Sequence, residues 1–243
     1  MKIIKEKITE YGELTGYLHE PSEEIRTPSG LPAILVLPGG RFRICSDREA
    51  EPVAMAYYAE GYQAFVLRYT TVTKKPDAVM EDPMQDVQEA LRLIQERRRE
   101  YQIAQNQIVM IGFSGGGHLA AASAVHGPLR PDRLILGYPG IVHSDLRALE
   151  CPDIVESVDE HTPPAFLFST ATDTITPPMH PLTFAGALDR AGVGFELHIF
   201  REGDHGLSLA KPCTAGEDQK MMNVSVSQWF PLSIQWLKAE LNL

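Results

Sequence analysis

Three residues of this sequence, Ser114, Asp173 and His205, have the side-chain types that acyl transfer to a serine requires. A serine hydroxyl is a poor nucleophile at neutral pH and needs a neighbouring base. Histidine suits that role because its pKa lies near the pH at which most enzymes work. A carboxylate is then needed to hold the imidazole in one tautomer and to stabilise the imidazolium. We therefore predict a catalytic triad of Ser114 as nucleophile, His205 as base and Asp173 as its carboxylate.

Ser114 lies in the pattern Gly112-x-Ser114-x-Gly116, between two apolar runs. Residues 108–111 predict a strand buried on both faces, and residues 119–122 predict a buried helix. A GxSxG turn between a strand and a helix is typical of a nucleophile elbow, which holds the serine in a strained conformation above the sheet. The glycines are expected where a Cβ atom would obstruct close packing. A phosphate-binding or purely structural turn is the alternative, and the flanking strand and helix favour the elbow.

His205 is the best placed of the eight histidines to act as the base. It follows a predicted strand, 195–200, within a Gly-Asp-His-Gly segment whose glycines let the loop turn back over the sheet. His118 lies about one helical turn after Ser114 and is predicted to pack structurally, whereas His198 is predicted to lie on a sheet face. A surface histidine in a turn remains the alternative interpretation of His205.

Asp173 is the candidate carboxylate because it directly follows another predicted strand, 165–168. The order serine, aspartate, histidine along the chain matches the order expected for a nucleophile elbow of this kind. Asp204 is the rival, but an immediate neighbour of His205 rarely reaches its Nδ1 atom. Glu202 ranks below both.

A serine that attacks an acyl group also needs donors for the oxyanion that forms. The amide of Gly115 should supply one, because free N–H groups and the helix dipole at a helix start favour negative charge. The Leu-Pro-Gly-Gly-Arg-Phe segment at 37–42 should supply the other, through the amides of Gly40 and Arg41. A plain turn is the alternative interpretation of that segment.

The elements that must position these residues alternate between short apolar strands and helices. Strands are predicted at 33–37, 64–67, 108–111, 133–138, 165–168 and 195–200. Helices are predicted at 48–60, from Pro83 to a charged end at 96–100 with Asp82 as N-cap, after Ser114, at 181–190 and at 224–241. Residues 2–20 predict an antiparallel hairpin at a sheet edge. We therefore predict an α/β fold with a mostly parallel central sheet, an antiparallel N-terminal hairpin and helices on both faces.

Active sites of such sheets lie beyond the carboxyl ends of the strands, where all the candidate residues fall. Residues 141–162 and 203–223 are predicted loops, and the apolar residues of the first recur with no clear period. A connection of that length is usually functional or mobile, so 141–162 is a candidate lid.

The composition restricts the classes of protein to which the chain can belong. Its 243 residues predict one domain over 1–243, and 44% hydrophobic with 22% charged residues is ordinary for a globular protein. The net charge of -10 argues against nucleic acid or an anionic membrane as a partner. No apolar run is long enough for a secretory signal or a membrane span, and three widely spaced cysteines suggest reduced thiols. These features predict a cytoplasmic protein whose cysteines form neither a disulfide framework nor a metal site.

Taken together, these motifs resemble the α/β-hydrolase superfamily and, within it, the acetyl-xylan esterase-like or xylanase-associated esterase/lipase group. The resemblance covers about residues 13–240 and includes the elbow followed by His-Leu-Ala and the strand that leads to His-Gly-Leu. It implies hydrolysis of short acyl esters, often acetyl groups on plant polysaccharide fragments, without a cofactor. It also implies that Ser114, Asp173 and His205 carry the reaction.

One departure from that family concerns the oxyanion segment, where Arg41 replaces the third glycine of a Pro- or His-Gly-Gly-Gly pattern. Arg41 and Arg43 suggest a preference for an acidic acyl or uronyl group.

A serine exopeptidase of the same fold and a non-catalytic carbohydrate-binding relative remain alternative functions. A metal hydrolase is disfavoured, because the sequence contains no metal-binding motif such as HExxH. The expected partner is an ester or an acylated oligosaccharide, and the oligomeric state, a homodimer included, stays open.

Overall fold

The computed structural model describes residues 1–24, 27, 29–142 and 148–243. Its centre is an eight-stranded sheet in the order β1-β2-β4-β3-β5-β6-β7-β8. The strands are β1 Lys2–Lys7, β2 Glu13–Leu18, β3 Leu31–Leu37, β4 Gln63–Arg68, β5 Ile103–Phe113, β6 Arg133–Gly137, β7 Ala165–Thr170 and β8 Phe195–Phe200. Strand β2 pairs antiparallel with β1 and β4, and every other pair is parallel. The predicted mostly parallel sheet with an N-terminal antiparallel hairpin is confirmed.

Helices cover both faces of this sheet, as predicted. They are α1 Glu51–Ala59, α2 Glu81–Glu96, α3 Ser114–His126, α4 Met179–Arg190, the single turn α5 Pro212–Ala215, and α6 Trp229–Leu241. Alternate residues of β3 point to opposite faces: Ile34 belongs to the core beneath α1 and α6, and Leu35 to the core beneath α2, α3 and α4. Because both faces are covered, the central strands read as unbroken apolar runs and not as alternating ones.

The register of the central strands brings the candidate residues together at the carboxyl ends of these strands. Leu37 of β3 pairs with Gly112 of β5, and Phe113 of β5 pairs with Gly137 of β6. The three strands therefore end at the same level, so the segments that follow them are neighbours. Strands β7 and β8 end together in the same way, with Thr170 opposite Phe200.

Four predicted helix starts are wrong, and two of them are those of α1, which begins at Glu51 and not at 48, and of α4, which begins at Met179 and not at 181. Helix α2 begins at Glu81 and its N-cap position is Met80, because the Asp82 carboxylate accepts a hydrogen bond from the Val79 amide and pairs with Lys75. Helix α6 begins at 229, not 224, because a 3-10 turn precedes it over residues 226–228. The predicted loop 203–223 also contains α5 and a second 3-10 turn, Gln219–Met221.

The candidate lid, 141–162, is described only in part, since residues 143–147 lie outside the described residues. Within the described ranges, no helix is both long and apolar enough to cross a bilayer.

Candidate active site

The turn from β5 into α3 has the geometry predicted for a nucleophile elbow. Ser114 has a φ of 51°, in the left-handed region that costs a non-glycine residue free energy. A Cβ atom on Gly112 would lie 2.2 Å from the Gly116 carbonyl oxygen, and one on Gly116 would lie 2.3 Å from the Leu37 carbonyl oxygen. Both contacts are too short to exist, so glycine is required at both positions. The prediction that their Cβ atoms would obstruct close packing is confirmed.

The loop after β8 brings His205 to this serine. The Nε2 atom of His205 lies 2.8 Å from Ser114 Oγ. The loop is tied to the end of β7, because the hydroxyls of Thr170 and Thr172 both donate hydrogen bonds to the Gly203 carbonyl, at 2.6 and 3.0 Å. The side chain of Ser114 therefore meets a histidine whose position is fixed by two strands that lie on one side of the elbow.

Asp173 holds the other nitrogen of the imidazole. Its Oδ2 atom lies 2.7 Å from His205 Nδ1, and its Oδ1 atom accepts hydrogen bonds from the amides of Ile175 and Thr176 at 2.8 and 2.9 Å. A carboxylate at Nδ1 places the imidazole proton there and leaves Nε2 free to accept the serine proton. The three predicted residues thus form one continuous hydrogen-bonded chain from carboxylate to hydroxyl.

Burial alone would raise the pKa of Asp173, because it disfavours the charged form. The hydrogen bond and the charge of His205, with the two backbone donors, outweigh that effect and hold the pKa below its usual value. The Asp173 side chain is only 1% exposed and that of His205 is 18% exposed. The carboxylate therefore stays ionised in a place from which water is nearly excluded.

The rival residues lie elsewhere. Asp204 and Glu202 are both exposed, and it is Asp173 that bonds to the imidazole. His118 is fully buried with its Nδ1 atom 2.8 Å from the Gly140 carbonyl oxygen, so it packs structurally as predicted. His198 bonds to Glu196 on the face of β8.

The predicted oxyanion segment follows β3 and lies against the start of α3. Gly40 has a φ of 132°, and a Cβ atom there would lie 2.1 Å from the Ile44 carbonyl oxygen, so this turn requires glycine. The Arg41 amide nitrogen would lie 3.3 Å from a Cβ atom on Gly115, which places it beside the first turn of α3. Neither the Gly40 amide nor the Arg41 amide donates a hydrogen bond to any residue that the structure describes. Both amides therefore remain the predicted oxyanion donors.

Arg41 occupies the place of a glycine at a conformational cost. Its φ of 56° and that of Phe42, 61°, are both left-handed. Such values cost a non-glycine residue of order 1 kcal/mol or more. The Arg41 side chain is exposed, whereas Phe42 is fully buried against Tyr69 and His118. The buried ring of Phe42 thus anchors the turn that presents the Arg41 amide.

Two side chains that sequence reasoning missed also belong to this site. The Thr176 hydroxyl lies 3.1 Å from Asp173 Oδ2 and 3.0 Å from His205 Nδ1. Glu49 is buried behind the oxyanion segment, where it accepts a hydrogen bond from the Gly39 amide at 2.7 Å. Among the described residues, no three histidine, cysteine, aspartate or glutamate side chains converge as metal ligands.

Two family models match parts of this chain. The BD-FAE model matches residues 21–130, which contain the oxyanion segment and Ser114. The prolyl oligopeptidase family model matches residues 146–222, which contain Asp173 and His205. The two models therefore divide the site between them.

Two curated proteins are similar to this chain over most of its length. Endo-1,4-beta-xylanase B of Butyrivibrio fibrisolvens is 31% identical over 226 residues, and acetylxylan esterase of Xylanibacter ruminicola is 28% identical over 207 residues. These matches include 81% and 75% of this chain. The chain spans only 35% and 42% of the length of those two relatives.

Solved structures match the whole chain. An alpha/beta hydrolase enzyme, MGS-M1, from a Medee basin deep-sea metagenome library is 39% identical with a TM-score of 0.93, over 100% of this chain and 99% of its own. An acetyl ester-xyloside bifunctional hydrolase from Caldicellulosiruptor lactoaceticus is 31% identical with a TM-score of 0.80, over 94% and 88%. With this sheet, this elbow and these relatives, the chain belongs to the α/β-hydrolase superfamily and is a carboxylesterase-like member of it.

Proposed function

We propose that this protein is a serine carboxylesterase that hydrolyses short-chain acyl esters through an acyl-enzyme on Ser114. The observation that carries the proposal is the hydrogen-bonded chain from Ser114 through His205 to Asp173, with distances of 2.8 and 2.7 Å. Three backbone amides, those of Gly40, Arg41 and Gly115, are the proposed donors to the oxyanion.

Each group has one task in the proposed reaction. As Ser114 Oγ attacks the ester carbonyl, His205 Nε2 takes the hydroxyl proton, and Asp173 stabilises the imidazolium. The backbone amides bind the oxyanion of the tetrahedral intermediate. His205 then gives its proton to the departing alcohol, and the acyl group stays on Ser114. Water, deprotonated by the same imidazole, attacks the acyl-enzyme and releases the acid.

Acetylated xylo-oligosaccharides are the proposed natural substrates. Support comes from the relatives named above, because one is an acetylxylan esterase and another is an acetyl ester-xyloside hydrolase. The enzyme would then remove acetyl groups from the sugar hydroxyls, with the oligosaccharide as the alcohol product.

The first test is hydrolysis of p-nitrophenyl acetate, butyrate and octanoate by the wild-type protein and by Ser114→Ala. We expect the highest kcat/KM on acetate and a loss of several orders of magnitude in the variant, since the nucleophile is removed. Ser123→Ala is the matched control, because Ser123 is a fully buried serine of α3 that accepts a hydrogen bond from Gln88. Release of acetate from acetylated xylo-oligosaccharides then tests the natural substrate. Wild-type rates no higher than those of Ser114→Ala on every ester would refute the proposal.

A serine peptidase is the second candidate, because the prolyl oligopeptidase family model covers the acid and the base. The measurement that separates the two candidates is cleavage of proline-containing peptide p-nitroanilides. Peptide cleavage that depends on Ser114 and exceeds the rate on p-nitrophenyl acetate would favour the peptidase.

A further inference from the structure

Glu49 is a buried carboxylate that the proposed reaction does not use. It ends the 3-10 turn Asp47–Glu49 and is 3% exposed. One of its oxygens, Oε2, accepts a hydrogen bond from the Gly39 amide at 2.7 Å, and the other, Oε1, lies 2.6 Å from the Tyr138 hydroxyl. A carboxylate in such a place is costly, because it has lost the water that would solvate its charge.

The hydrogen atoms of this cluster can be assigned. The Ser208 amide donates to the Tyr138 hydroxyl oxygen at 2.9 Å, so the single hydroxyl hydrogen of Tyr138 is directed at Glu49. Glu49 therefore accepts a hydrogen bond on each oxygen. An ionised carboxylate, which has acceptors only, fits this arrangement.

The two groups that donate to Glu49 belong to different parts of the candidate site: Gly39 lies in the oxyanion segment, and Tyr138 contacts the His205 loop. Gly39 directly precedes the proposed oxyanion donors, and a Cβ atom on it would lie 2.7 Å from Glu49 Oε2 and 2.9 Å from Ser114 Cβ. The Gly39 backbone is thus a near neighbour of both the carboxylate and the nucleophile. Tyr138 packs edge-on against His205, with ring centroids 5.1 Å apart, and it holds Ser208 three residues further along the same loop. One side chain therefore links the oxyanion segment to the histidine loop.

Several charged and titratable groups surround Glu49 and affect its charge. Burial raises its pKa, whereas the hydrogen bonds from Tyr138 and Gly39 and the charges of His205 and Arg48 lower it. Tyr69, at the end of β4, donates its hydroxyl hydrogen to the Pro38 carbonyl and also interacts with Glu49 electrostatically. His205 is thus faced by two carboxylates, Asp173 in direct contact and Glu49 behind Tyr138.

We infer that Glu49 is a positioning residue of this active site: it fixes the oxyanion segment relative to the His205 loop, and its negative charge adds to that of Asp173 in stabilising the imidazolium. The inference rests on the proposed function, since it assigns His205 the role of base. It adds a fourth side chain to the three that carry the reaction.

The test is Glu49→Gln, which keeps the shape of the side chain and removes its charge. An amide group cannot accept from both Gly39 and Tyr138, so we expect kcat on p-nitrophenyl acetate to fall about 10- to 100-fold with little change in KM. A nearby negative charge favours protonated histidine, so its removal should lower the apparent pKa of the acidic limb of the kcat/KM profile. The NMR titration of the His205 ring protons, assigned with His205→Gln, should show the same downward shift.

Asp86→Asn is the matched control for loss of a buried carboxylate. Asp86 is 1% exposed and accepts hydrogen bonds from the Thr9 hydroxyl and the Thr70 amide, outside the candidate site. This variant should lose stability and keep both the kcat and the pKa of His205. If Glu49→Gln does not fold, Tyr138→Phe breaks the link to the histidine loop and should still lower kcat several-fold.

The outcomes separate the inference from the proposed function. A wild-type protein without esterase activity would refute the proposed function, and the NMR titration would still decide whether Glu49 acts on His205. An unchanged His205 pKa in Glu49→Gln, or a kcat equal to that of Asp86→Asn, would overturn the inference. A lower pKa together with a lower kcat would support it.

Discussion

Asp173 and Glu49 are two buried carboxylates that act on the same histidine, and the two whole residues are 4% and 3% exposed. Asp173 contacts the imidazole directly and has two backbone amide donors, and its pKa is lowered. Glu49 has one amide donor and one tyrosine donor and meets His205 only through space, and its pKa is raised. Burial raises the pKa of both carboxylates, and the direction of the net shift depends on whether the hydrogen-bond and charge partners outweigh burial, as they do at Asp173 and do not at Glu49.

The largest effect in this comparison is expected from Asp173→Asn. The amide would no longer hold the proton of His205 on Nδ1, so the imidazole would present the wrong tautomer to Ser114. We expect kcat to fall about ten-thousand-fold, the size of loss typical of such a change in a serine triad. The measurement is steady-state hydrolysis of p-nitrophenyl acetate.

Asp204→Asn is the matched control for that variant, because Asp204 is exposed and adjoins the same histidine. It should keep nearly the wild-type rate. Equal losses in the two variants would show that Asp173 is not the partner of the base.

The two carboxylates should change the stability of the fold in opposite directions as the pH rises. The lowered pKa of Asp173 stabilises the fold above the unfolded-state pKa, and this contribution is lost as the pH falls through the folded-state pKa. The raised pKa of Glu49 has the opposite effect: its contribution is present below the unfolded-state pKa and is lost as the pH rises through the folded-state pKa. Each unit of difference between the two pKa values corresponds to about 1.4 kcal/mol.

Urea unfolding from pH 3 to 8 measures both contributions. Relative to wild type, Glu49→Gln should gain stability as the pH rises above about 4.5, the usual glutamate value. Asp173→Asn should lose stability relative to wild type as the pH rises through the acidic range below about 4. Parallel curves for wild type and Glu49→Gln would contradict the raised pKa of Glu49.

The sequence predicts the position of Asp173 in the candidate site but not that of Glu49, and the reason is physical. Asp173 follows the carboxyl end of a strand, where parallel α/β folds place their sites, so the apolar period and the chain order suffice to predict its place beside His205. Glu49 lies among Asp47, Arg48 and Glu51, a group typical of an exposed helix start. Its burial depends on Tyr138, 89 residues away, and no local pattern carries that information.

The same distinction explains the errors in helix boundaries. The apolar periods predict the helices other than the single turn α5, since they reflect burial against the sheet. The start of α2 depends on a contact between the side chains of Asp82 and Lys75, which competes with the predicted cap. Local competition of this kind moves a helix end by a residue or more and leaves the fold unchanged.

The smallest effect in the comparison is expected from Thr176→Val. The single hydrogen of the Thr176 hydroxyl is shared between two acceptors, Asp173 Oδ2 at 3.1 Å and the Tyr138 carbonyl at 3.0 Å, so it gives the acid less than a full hydrogen bond. Both backbone donors to Asp173 remain in the variant, so the carboxylate should stay ionised and in place. We expect kcat to fall about threefold to tenfold and the free energy of unfolding to fall by about 1 kcal/mol, the net value of one hydrogen bond.

Thr214→Val is the matched control, because Thr214 is 4% exposed and bonds to the Lys211 carbonyl away from the triad. It should lose similar stability with kcat unchanged. A loss of kcat in Thr176→Val as large as that in Asp173→Asn would mean that the hydroxyl, and not the two backbone amides, keeps Asp173 in position. The contrast with Glu49 would then rest on side-chain donors alone, and Tyr138→Phe should raise the pKa of Glu49 by the same mechanism.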